Sequence, residues 1–185
     1  MAHETGAQII VAQTHQYALD WLRNKTCRES PNKIEYTTNP GQVLAEACIN
    51  PIDIVITGQL FYKTDLVTLP EKIQALQTAM TGRIKEINEV MSHYVRPKYA
   101  PETGTELSEE LYKINPDTLV IRFSFSSGDI GRIVGDIEKD TRGFSTLAKF
   151  LGSPELSDIL KTKDWKRFRN QFPDIRFYDT LESQH

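Results

Sequence analysis

Cysteine and histidine are scarce in this chain: two of the first, Cys27 and Cys48, and four of the second among 185 residues. Two thiols can build neither a disulfide framework nor a four-thiolate zinc site, and no CxxC or HxxxH spacing occurs. The thiols therefore read as buried or idle groups in a reducing compartment. Long apolar runs are also missing. No stretch approaches the roughly 18 residues of a membrane span. The first twenty residues, with Glu4, Gln8, Gln13 and Asp20, lack the apolar heart of a signal peptide. A cytoplasmic protein without membrane contact is expected. Nor is there surplus positive charge. Twenty-two Lys and Arg stand against 25 Asp and Glu, a net charge of -3 and a pI near 5.8, so nothing draws the whole molecule to nucleic acid.

What is present is a series of short apolar runs, most of them followed by a helical period. Ala7 to Ala12 (AQIIVA) is short and β-branched, which suits a buried strand. Thr14 is placed to cap a helix running to Lys25, with Tyr17, Leu19, Trp21 and Leu22 on one side. Lys33 to Thr38 alternates like an edge strand. Asn39, Pro40 and Gly41 open a helix to Ile49 with Val43, Leu44, Ala47 and Cys48 turned inward. Ile52 to Ile56 (IDIVI) and Leu119 to Phe125 (LVIRFSF) are the clearest strands. Between them, Pro70 to Val95 carries the longest helical stripe, Tyr99 to Glu106 reads as loop, and Glu109 to Ile114 as one or two helical turns. Ser126 to Phe172 reads as helix broken by glycines, and Ile175 to Tyr178 (IRFY) as a fifth strand.

Strands alternating with helices predict a parallel sheet covered on both faces, and ligands of such sheets meet the carboxyl ends of the strands. On this reading those ends are Gln13, Gly58, Ser124 and Asp179. Two strand openings also repeat: CINPIDIVIT at Cys48 to Thr57 and KINPDTLVIRF at Lys113 to Phe123.

The pattern resembles the receiver domain of two-component response regulators. PIDIVITG at Pro51 to Gly58 has the shape of that family's segment ending in the phosphorylated aspartate, and PDTLVIRFSF at Pro116 to Phe125 that of the segment ending in its hydroxyl residue. The resemblance implies a three-layer α/β/α sandwich, flavodoxin-like, with five parallel strands in the order 2-1-3-4-5. It implies one domain over 1–185, with helical insertions around 70–115 and 126–172. A working receiver needs an acidic pair for Mg²⁺, an acceptor aspartate, a Thr or Ser, and a Lys ending the fifth strand. The matching positions here are Gln13 and Thr14, Gly58 with Thr57 beside it, Ser124, and Asp179. The resemblance thus implies a pseudo-receiver: a signalling and protein-interaction module without aspartyl phosphorylation, without cofactor or catalytic residue. A protein partner is expected, with a second copy of the chain as one candidate. The long insertions would reshape the fourth-helix surface through which receivers dimerise.

Three other constellations compete. Phe123 to Asp136 (FSFSSGDIGRIVGD) follows a strand with small residues, as phosphate-cradling loops do, and Ser126, Ser127, Gly128, Gly131 and Arg132 are its candidate anion contacts. It matches neither GxGxxG nor a Walker A, and glycines for tight turns and helix packing account for it better. Lys161 to Phe172 (KTKDWKRFRNQF) interleaves cations with aromatics, as nucleic-acid surfaces do. Trp165, Phe168 and Phe172 also form an ordinary buried stripe, and neighbouring carboxylates cancel much of the charge, so nucleic acid is disfavoured. Finally, Ser124, His15 and Asp65 lie near strand ends, yet no GxSxG elbow supports a nucleophile there.

Overall fold

The computed structural model describes residues 6–26, 30–61, 101–125, 131–179 and 181. In chain order the elements are β1 (Gln8–Ala12), α1 (Gln16–Lys25), β2 (Lys33–Thr37), α2 (Pro40–Ile49), β3 (Ile54–Thr57), α3 (Gly104–Ile114), β4 (Leu119–Ser124), β5 (Ile133–Glu138), α4 (Thr141–Leu151), α5 (Leu156–Thr162), α6 (Trp165–Gln171) and β6 (Arg176–Phe177). The expected long helix Pro70 to Val95 lies outside the described residues.

One sheet has the order β2-β1-β3-β4-β5-β6. The first five strands are parallel, and β6 joins β5 antiparallel. The fold is flavodoxin-like. Because the central strands are buried on both faces, they read as continuous apolar runs. Ile9, Val11, Ile54, Ile56, Ile121 and Phe123 face α1, α4, α5 and α6. Ile10, Val55, Val120 and Ile133 face α2 and α3 with Val43, Leu107 and Leu111.

The doubly wound order matches the expectation, but its fifth parallel strand is β5, inside the stretch read as helical. Ile130, Ile133, Val134 and Ile137 recur at a helical period. In the sheet, Ile133 is buried on one face and Val134 and Ile137 on the other, a break in strict alternation that goes with a register shift opposite Val120 and Ile121. Ile175 to Tyr178 supplies β6, a two-residue antiparallel edge. The connection from β4 to β5 spans Phe125 to Arg132, shorter than the roughly dozen residues usual for a parallel crossover.

Local signals explain the helix boundaries. Asn39 accepts a bond from the Gly41 N–H at the start of α2. Thr103 accepts from the Glu106 N–H, and the Glu106 carboxylate reaches back to the Glu102 N–H, so α3 starts earlier and runs longer than expected. Thr14 does not cap α1. Its hydroxyl donates to the Leu60 carbonyl, and His15 holds the cap position without a side-chain bond. Cys48, expected inward, is exposed. Among the described residues no helix is long and apolar enough to cross a membrane.

Candidate functional site

The carboxyl ends of β2, β1 and β3, and those of β4 and β5, are tied by backbone bonds that continue the ladders one residue beyond the strands. The Gln13 N–H donates to Thr37 O (3.0 Å), the Gly58 N–H to Ala12 O (2.9 Å), and the Lys139 N–H to Ser124 O (2.9 Å). Around these ends lies a cleft of about 120 Å³, lined by Gln13, Thr14, His15, Gly58, Ser124 and Lys139, with Leu60 and Phe125 on its wall.

Four of the expected positions, Gln13, Thr14, Gly58 and Ser124, therefore meet in one place. The other two do not. Asp179 follows β6, whose antiparallel run carries it back toward the amino end of β5, where the neighbouring Tyr178 N–H donates to Val134 O (2.8 Å). The residue that follows the fifth parallel strand is Lys139. Its stretch reads as helix in the sequence, which is why the lysine position is expected at Asp179 instead. Thr57 is fully buried, its hydroxyl bonded to Gly58 O (3.1 Å) and its methyl under Gly104. A Cβ at Gly104 would lie 2.2 Å from Gly58 O, so only glycine lets α3 close against this edge.

The electrostatics of the cleft are cationic. Lys139 is 5% exposed, and among the described residues no carboxylate pairs with it. Its ammonium lies 5.8 Å from the Phe123 ring centroid and 5.3 Å from that of Phe125. Burial lowers its pKa from the ordinary lysine value. Gln13 is 1% exposed, and its buried Nε2 has no hydrogen-bond partner. A hard cation such as Mg²⁺ requires oxygen ligands, preferably carboxylates. An ammonium and an orphaned amide donor do not fit that ion.

Of the candidate anion contacts, Gly131 and Arg132 lie among the described residues. Gly131, at φ +52°, packs toward Thr105 and Ser108 of α3. Arg132 lies with its guanidinium 3.8 Å over the Tyr112 ring and 3.7 Å from the Glu109 carboxylate. Ser126, Ser127 and Gly128 lie outside the described residues, as does Asp65. The basic segment is an ordinary helix pair. Phe168 and Phe172 pack on Phe150, and Arg167 is bonded to both Glu155 (2.8 Å) and Asp158 (2.9 Å).

A second polar cluster, absent from the sequence reading, sits on the α2 and α3 face of the sheet. Arg122 is buried in β4 and grips Asp136 of β5 with two bonds, 2.7 Å from Nε and 2.8 Å from Nη2. The Tyr178 hydroxyl donates to the same carboxylate. Burial opposes the Arg122 charge, yet the Asp136 bonds outweigh it and raise the guanidinium pKa. Burial and the same carboxylate raise that of Tyr178.

No family model and no curated protein matches the sequence. Solved structures do align. The receiver domain of RcsB from Salmonella enterica serovar Typhimurium, with the phosphomimetic BeF₃⁻, aligns at a TM-score of 0.49 and 11% identity over 97% of this chain and 98% of that one. RcsB bound to promoter rprA gives 0.49 and 12% over 97% and 87%. A CheY-like receiver protein from Methanospirillum hungatei JF-1 gives 0.43 and 12% over 90% and 96%. Likenesses of this strength establish no activity, and the fold assignment stands on the strand order of the sheet itself.

Proposed function

We propose that the chain is a receiver-like regulatory module whose carboxyl edge accepts no phosphoryl group. The observation that carries this reading is the set of residues at four strand ends. Ser124 and Lys139 stand where the receiver pattern has its hydroxyl and its lysine, while Gln13, Thr14 and Gly58 stand where it has three carboxylates. Glycine has no nucleophile, and neutral side chains hold a divalent cation poorly. The module then works through contact with a protein partner. Support for that comes from the cleft wall, where Phe125 is 70% exposed and Leu60 50%, and where His15 stacks at 5.2 Å on Tyr17, itself 62% exposed.

The direct test is Mg²⁺ titration followed by amide shifts of the full chain. The reading predicts no saturable change at Gln13, Thr14 or Gly58. Saturation there at millimolar Mg²⁺ would overturn it.

A further inference from the structure

A sheet edge is a row of unpaired backbone donors and acceptors, which folds commonly blunt with proline, a bulge or a covering segment. β2 forms one edge of this sheet. Its five residues, KIEYT, contain no proline, and their register against β1 runs unbroken from Lys33 to Thr37. The Lys33 N–H donates to Ala7 O and Thr37 O accepts from the Gln13 N–H, so the alternation of a parallel ladder turns Lys33, Glu35 and Thr37 toward β1. The N–H and C=O of Ile34 and Tyr36 then point outward, as does the Asn32 carbonyl. Among the described residues no strand pairs with them.

Side chains decide what fits this edge. Ile34 and Tyr36 pack toward α1, whereas Glu35 pairs in register with Ile10 and so shares the α2 face with Lys33. Those two charges lie 3.3 Å apart, 63% exposed at Lys33 and 35% at Glu35. An antiparallel β2 from a second copy meets the outward residues in few registers. Centred on Glu35, it sets two carboxylates face to face; centred on Lys33, two ammoniums. Centred on Tyr36, it sets Glu35 against Thr37 and pairs no charges. Centred on Ile34, it sets each Lys33 against Glu35 of the second copy, and the four charges alternate in sign. A hollow of about 440 Å³ beside the edge, lined in part by Glu35 and Glu46, leaves room for the incoming lysine.

We propose that two copies of this chain pair antiparallel through β2, about a two-fold axis at Ile34, into one continuous sheet. The two Ile34 residues exchange N–H···O bonds, and each Tyr36 N–H donates to the Asn32 carbonyl of the second copy. The Asn32 N–H is already bonded to Ser30 Oγ at 3.2 Å. Such a contact is self-complementary and closes at two copies. It goes beyond the reading above and stands whether or not the carboxyl edge takes a phosphoryl group.

The test is sedimentation of the full chain over a dilution series from about 1 to about 500 µM, a range suited to a short interface. Twice the 21.1 kDa of one chain is expected at the upper end. Lys33→Glu and Glu35→Lys each set like charges against each other and should weaken association about tenfold or more. Together they restore the alternation and should return it to within about threefold of the wild type. Ile34→Pro removes an outward donor and no ladder bond to β1, and should abolish pairing. Should that variant unfold, the charge reversals carry the test alone. A monomer at every concentration would overturn the inference. So would a dimer that the single reversals leave as tight as before, or a double variant no tighter than the single ones. None of these outcomes bears on the pseudo-receiver reading, which the Mg²⁺ titration tests separately.

Discussion

Lys139 is the residue on which the site turns. At neutral pH its burial opposes the charged form, so Lys139→Met, which keeps the stem and removes the ammonium, should raise the melting temperature. The sign with pH follows from linkage. The folded pKa is lowered, so between that value and the unfolded 10.5 the unfolded chain binds the extra proton and wild-type stability rises with pH. The advantage of the variant should therefore shrink across that window, read as the difference between two melting curves. Taking the difference isolates Lys139 from the other ionisable groups around it, His15 on the cleft wall and Glu138 and Asp140 beside it in sequence. A constant difference from pH 7 to 11 would contradict it. Ser124 is expected to contribute structure rather than nucleophilicity, and Ser124→Ala should cost no more than about 1 kcal/mol in urea unfolding.

At the level of elements, the Arg122–Asp136 clamp fixes β5 against β4 where the crossover is short. Asp136→Asn takes the charged partner of both guanidinium bonds from a buried arginine and should lower stability by about 3 kcal/mol, while Arg122→Met with Asp136→Leu together should recover most of it. Urea unfolding of the three variants reads this directly, and equal losses in the single and double variants would show that the clamp does not act as a pair. Much of the architecture was legible: β1, β3 and β4 are β-branched runs too short for helices, and Asn39-Pro40-Gly41 announces α2. The start of α3 was legible too, in Thr103 and Glu106, but the glycine between them gave the segment the look of a loop. β5 was not. Its buried residues serve both faces of the sheet, and Ile133, Val134 and Ile137 repeat as a helix would. The site depends on this strand, because a helical reading of residues 133–138 shifts the expected lysine position to Asp179 and away from Lys139. Arg122 lay in plain view within an apolar run, and its partner could be found only through the pairing of β4 with β5.

For the whole molecule, a parallel sheet in the order β2-β1-β3-β4-β5 places strand ends where receivers keep their chemistry, and this chain fills that place with a lysine, an amide and a glycine. Charge at the opposite flank is spent internally, since Arg167 is bonded to Glu155 and Asp158 and Lys163 to Asp117. Binding of a fluorescent single strand should accordingly vanish at physiological salt. Affinity in the micromolar range persisting there, and lost in a folded Lys166→Glu, Arg169→Glu variant, would move nucleic acid to first place. The central claim, a receiver-like edge that takes no phosphoryl group, is tested most directly by intact mass under denaturing conditions after incubation with acetyl phosphate and Mg²⁺. The account predicts an unmodified mass. Stoichiometric addition of one phosphoryl group, removed by hydroxylamine as an acyl phosphate would be, would contradict it.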